Sequence, residues 1–198
     1  VLGHAEALRT WLEANLGFVG NGYAGKIIIR IFANREEYNS FQTARRWYSD
    51  APEVTTFKDK EGWDWDWQTE TLNRTVYWLW LKDKNDRLAY SLPTWASWGL
   101  WDFVGRARLK SGKLDFKADV WESVGMKNLR RSENLIEVRD FFRTPSEVFW
   151  RREGVTTQTQ FFVNFLLAGG AQRQAKYKNL LSDYLKNLIF LLDAEDTN

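Results

Sequence analysis

The sequence predicts an α+β domain, with a small β-sheet near the N-terminus followed by a mostly helical remainder. Three observations carry that expectation. Residues 26–32, Lys-Ile-Ile-Ile-Arg-Ile-Phe, are dense in β-branched side chains, which favour strands. From Thr71 onward, apolar residues recur at helical spacing, and Pro and Gly punctuate the segments. With 198 residues, 44% hydrophobic and 27% charged, the chain suits one globular domain with a sizeable core. No repeat, low-complexity tract or linker divides it. The sheet and two central helices fall within residues 26–104, and the helical part within 105–198.

Taken in order, Ala5, Leu8, Leu12 and Leu16, with Trp11 beside them, predict a first helix that Gly17 and Gly20-Asn-Gly22 end. Ile27–Phe32 reads as a strand buried on both faces. Asn34 followed by Glu37 is a capping-box arrangement and starts a helix to about Tyr48. Asp50-Ala-Pro52 breaks the chain. Glu53–Phe57 and Trp63–Trp67 then flank a Gly-ended loop and read as a hairpin. In its second strand Trp63, Trp65 and Trp67 share one face, while Asp64 and Asp66 share the other. The three indoles either pack on the helices or form a platform for a sugar ring or a peptide.

Thr71–Leu81 and a segment opening at Leu92-Pro93-Thr94-Trp95 predict two helices. Pro93 suits the first turn, because the N–H it lacks would have no partner there. Lys82–Arg87 between them is too polar to bury and is expected to turn in solvent. Gly105 closes the second helix, and residues 106–117 read as a small hairpin around Lys110-Ser-Gly-Lys113. Helices are expected over Asp119–Arg131 and Asn134–Phe142. Another should start at Thr144-Pro-Ser-Glu147, with Thr144 as N-cap. Thr156–Ala168, stopped by Gly169-Gly170, and a long amphipathic Ala171–Leu192 complete the chain.

The two central helices resemble the active-site pair of a gluzincin-type zinc metallopeptidase, most of all those of a poorly characterised group of bacterial peptidase-like domains. Pro93, Trp95, Gly99 and Phe103 keep the framework of the helix that carries the third zinc ligand. The resemblance puts Asn73-Arg74-Thr75-Val76-Tyr77 on the HExxH motif and Trp98 on the ligand Glu. It runs over roughly residues 26–190 and implies a zincin-like fold with the Trp63–Trp67 strand along the substrate cleft. It also implies an extracytoplasmic setting.

At those positions the chemistry is gone. A catalytic zinc takes about three His or carboxylate ligands. An Asn amide is neutral and weak, and a Tyr phenol ionises only near pH 10. An Arg does not accept a proton at working pH. Trp98 would fill the metal space with an indole. The chain has one histidine, His4, and no cysteine, so thiolate metal sites and disulfides are excluded. A Ser-His-Asp arrangement would have to recruit His4. No phosphate-loop motif occurs. Asp64, Asp66, Glu70 and Asp102 leave a two-carboxylate hydrolase as an alternative.

A net charge of +2, with 28 basic and 26 acidic residues interleaved, gives no reason to expect nucleic acid. No apolar run approaches the roughly 20 residues needed to span a bilayer. The chain begins at Val1 without a signal-peptide pattern, which fits a mature form or an excised domain. The expectation is therefore a pseudo-peptidase without cofactor or metal. It would bind a protein, peptide or glycan through Trp63, Trp65 and Trp67, with Asn73, Tyr77 and Trp98 lining the vacated site. A scaffold within a larger extracytoplasmic protein is the alternative. The sequence does not choose an oligomeric state.

Overall fold

The computed structural model describes residues 2–17, 28–45, 53–57, 65–116 and 120–195. Over these residues it is mixed helix and small sheet, about 69% helical with two small sheets. Helix α1 (Leu2–Leu16) starts three residues earlier than its periodicity suggested, which brings His4 onto the buried row of Leu8, Leu12 and Leu16. Strand β1 (Ile28–Phe32) pairs in parallel with β2 (Glu53–Phe57), and α2 (Arg35–Arg45) lies between them in the chain. The Asn34 side chain accepts from the Glu37 N–H at 2.9 Å, while the Glu37 carboxylate accepts from the Ala33 N–H. This is the anticipated capping box, its return bond shifted by one residue.

Two strand expectations are corrected. β1 is not buried on both faces, because Ile28 and Ile31 are 48% and 42% exposed. β-branched density reports strand propensity, and the layers covering the strand come from elsewhere in the fold. Here α2 supplies one cover, Phe41 and Tyr38 lying against Phe32. The better buried strand is β2. The Glu53–Phe57/Trp63–Trp67 hairpin does not form either. β2 takes β1 as its partner, and Trp65 opens the helix α3 (Trp65–Lys84). Trp63 and Asp64 lie outside the described residues, as do the side chains of Trp65, Asp66 and Trp67. Five alternating residues are too few to tell period 2 from the start of a helix. Buried Thr69, Leu72, Asn73, Val76, Tyr77, Trp80 and Leu81 continue one helical face from that start.

The polar stretch after α3 also behaves differently. α3 runs on to Lys84, and Asn85 caps a further short helix, α4 (Asp86–Ser91), by accepting from the Leu88 N–H. The Lys84 side chain is 3% exposed and pairs with Glu13 at 2.8 Å. Arg87 donates to the Leu192 carbonyl at 2.6 Å. The solvent turn expected over Lys82–Arg87 is thus corrected: long cationic side chains can bury their stems when the charged end meets a partner, so a polar stretch can continue as helix.

Helix α5 (Thr94–Gly105) follows, with Pro93 at its N-cap rather than inside its first turn. It packs against α3 and α9 (Val155–Leu167). The close approach is made at Gly99, where a Cβ would lie 2.4 Å from Val163 Cγ2. Strands β3 (Ala107–Lys110) and β4 (Lys113–Phe116) form the expected hairpin. Ser111 and Gly112 both have positive φ, the conformation a two-residue type I′ turn requires.

Helix α6 (Val120–Arg131) matches its expected span, and α7 (Val138–Arg143) starts later than expected. Thr144 is not the N-cap of α8 (Ser146–Phe149). Its hydroxyl donates back to the Asp140 carbonyl, and Pro145 takes the cap position. The last predicted helix is split. Gly170–Arg173 is a 3₁₀ turn, and α10 spans Leu180–Glu195. The Gln172 amide donates to the Leu166 carbonyl at 2.6 Å, tying this turn to the end of α9. Side-chain amides that bond backbone in this way compete with helix propagation.

Candidate functional site

The site suggested by the sequence lies where α3 and α5 pack, and the chain doubles back so that Asn73 meets Gly105 while Tyr77 meets Trp98. The substituted positions divide into three environments. Asn73 is fully buried. Its amide NH₂ donates to the Gly105 and Ala107 carbonyls at 3.1 and 2.9 Å. Its Oδ1 therefore faces His4 Nε2, 2.6 Å away. With both amide protons on carbonyls, the remaining oxygen can only accept, so His4 carries its proton on Nε2. Burial lowers the His4 pKa, partly offset by this hydrogen bond.

Arg74 enters a cluster of charges. Its guanidinium lies 3.9 Å from the Trp101 ring centroid and 3.3 Å from Glu70. Asp102 is 4.0 Å from Arg74 and 3.1 Å from Arg106, while Arg108 reaches Glu70 at 3.5 Å. Three guanidiniums thus surround two carboxylates. Both carboxylates named for the hydrolase alternative that the structure describes, Glu70 and Asp102, are engaged in these pairs. The side chains of Asp64 and Asp66 lie outside the described residues.

Tyr77 and Trp98 come together in a cavity of about 330 Å³. Trp78, Trp101 and Trp150 add three more aromatic walls, with Leu92, Thr94 and Ser97 completing the lining. Trp98 lies 5.0 Å from Trp101 and meets Trp150 edge-on, also at 5.0 Å. The Tyr77 hydroxyl and the Trp98 Nε1–H are buried without a hydrogen-bond partner among the described residues. Burial pushes the Tyr77 pKa well above the usual phenol value, so the ring stays protonated. A second cavity, of about 350 Å³, opens beside Trp95, Phe142, Phe162 and Tyr184 and is lined by apolar groups.

These residues do not fit a zinc ion. The Asn73 amide is fully engaged elsewhere, Tyr77 keeps its proton, and Trp98 offers only an N–H donor. Among the described residues no group of three or more His, Asp or Glu is gathered where a metal could be held. The framework residues have packing roles instead. Pro93 caps α5, Trp95 is buried, Gly99 admits α9, and Phe103 stacks on Phe116 with ring centroids 4.6 Å apart.

Sequence reasoning named Tyr77 and Trp98 but missed Trp78, Trp101 and Trp150. Trp101 was within reach, since it lies one turn beyond Trp98 on the same helix. Trp150 was not, because only the packing of α8 brings it alongside. No helix among the described residues is long and apolar enough to cross a membrane. Compared with protein-family models, with curated proteins and with solved structures, the chain matches none.

Proposed function

We propose that this chain is a non-catalytic binding domain on a zincin-like, metallopeptidase-like framework, engaging a peptide, protein or glycan through the cavity between α3 and α5. The observation that carries the reading is the pairing of Tyr77 and Trp98 in one aromatic cavity, each with a buried polar group lacking a partner among the described residues. Buried polar groups are ordinarily satisfied, and concave sites lined by aromatics with a few convergent polar groups are the usual form of a ligand site. Binding, rather than turnover, is supported by the replacement of each residue that would have held or served a metal. The satisfied bonding of Asn73 favours the second reading, a scaffold in which this face is only core.

Three measurements on the purified protein test these readings. Thermal melts with and without added zinc should coincide, and metal analysis should find no stoichiometric zinc. Tight zinc binding would overturn the non-catalytic reading. Tryptophan fluorescence during a ligand screen should shift with a binder and lose that response in Trp98→Phe. If no ligand perturbs the indoles, the scaffold reading prevails.

A further inference from the structure

We infer that the α3–α5 cavity takes a neutral sugar ring, one pyranose unit of a glycan, held between its aromatic walls and hydrogen-bonded by Tyr77 Oη and Trp98 Nε1. This rests on the binding-domain reading and specifies its ligand.

The lining sets the chemistry. Five of the eight described lining residues are aromatic, and no charged residue is among them. An ionised ligand would lose its water there without gaining a counter-charge, which is costly. A neutral ligand avoids that penalty. The Trp98 N–H can only donate, whereas the Tyr77 hydroxyl can donate or accept. Neighbouring hydroxyls on one pyranose satisfy both roles, because each is donor and acceptor at once. The C–H face of the same ring is apolar and matches an indole. Thr94 and Ser97 supply further hydroxyls in the lining. The volume, about 330 Å³, lies at the lower end of the range for small-molecule sites.

An extended peptide fits less well. Peptides in extended form are commonly held by main-chain hydrogen bonds to a sheet edge. The cavity lining comes from α3, from α5 and its N-terminal approach, and from Trp150 just after α8. Among the described residues no strand residue borders it. Both orphan polar atoms are out of contact with solvent, so one wall has to move before a ring reaches them. Trp150 suits that part, being 53% exposed and touching Trp98 only edge-on.

The test is titration of the intact chain with cellobiose, maltose and N,N′-diacetylchitobiose, followed by tryptophan fluorescence and calorimetry. N-acetylphenylalaninamide serves as a neutral peptide-like probe. Tyr77→Phe keeps the ring and removes only the hydroxyl. At least one sugar should bind saturably, and Tyr77→Phe should weaken it about tenfold, as expected for one lost hydrogen bond in a closed site. The variant should melt no lower than the parent, which separates a binding defect from a folding defect. If the amide saturates and no sugar does, the sugar assignment fails while the binding-domain reading stands. If neither kind of probe binds, both fail. Sugar binding that Tyr77→Phe leaves unchanged would overturn the placement of the site.

Discussion

His4 Nε2 and Asn73 Oδ1 lie 2.6 Å apart in the protein interior, 69 residues apart in the chain. The only histidine of the chain thus sits beside the position that the metallopeptidase resemblance assigns to a zinc-binding histidine. It serves there as a hydrogen-bond donor, and Asn73 passes the connection on to the Gly105 and Ala107 carbonyls. One side chain thereby ties α1, α3 and the end of α5 together.

Asn73→Ala should be among the most damaging single substitutions. It leaves the His4 N–H without its acceptor in the interior, while the Gly105 and Ala107 carbonyls keep the Arg108 guanidinium as donor, and losses of this kind cost roughly 1–3 kcal/mol. Urea denaturation checks this. A loss below about 1 kcal/mol would mean that water replaces the amide at little cost.

His4 makes stability depend on pH. Its folded pKa is depressed below the ordinary imidazole value of 6.5, chiefly by burial, so the unfolded chain binds the proton first. Stability should therefore be fully present above about pH 6.5 and decline as pH falls below it. The slope would reach at most about 1.4 kcal/mol per pH unit. His4→Gln should flatten the profile below about pH 6.5. Identical slopes in the two proteins would remove His4 as the cause.

Gly99→Ala should destabilise by roughly 1–3 kcal/mol, the usual range for overpacking. The added Cβ would meet Val163 Cγ2 at 2.4 Å and Thr159 Cγ2 at 3.0 Å. A second substitution, Val163→Ala, should recover part of the loss. Strict additivity of the two in a double-mutant cycle would mean that α5 and α9 simply move apart.

Arg74→Met should leave Glu70 and Asp102 with one fewer guanidinium and uncover a face of Trp101. The expected loss is about 1–2 kcal/mol, because Arg108 and Arg106 still face the two carboxylates. The loss should shrink at high salt, since the side chains involved are only partly buried. A salt-independent loss would assign the effect to packing on Trp101.

Most helices were legible because each exposes one side and buries the other, a property written into local spacing. The row Leu8, Leu12 and Leu16 and the caps at Asn34 and Asn85 behave this way, although only the first cap was read in advance. What failed was short or long-range. Trp65 and Trp67 alternate with acids over too few residues to separate a strand from a helix start. Ala171–Leu192 carries a helical apolar period, yet its first part is drawn off by the Gln172 bond to Leu166. Of the candidate site, Tyr77 and Trp98 were named from the sequence, and both line the cavity between α3 and α5. The role of Asn73 was not, because nothing in its neighbourhood mentions His4.

By itself the sequence determined the mixed class, the ladder of helices, the Ser111-Gly112 turn and the absence of cysteine chemistry. These follow from local propensity, periodicity and composition, which act over a few residues. Tertiary structure alone decided that β2 pairs with β1, that His4 meets Asn73, and that Trp150 joins Tyr77 and Trp98 in one cavity. Each is a contact between distant segments, chosen by which faces can be buried together, and local spacing holds no record of that choice.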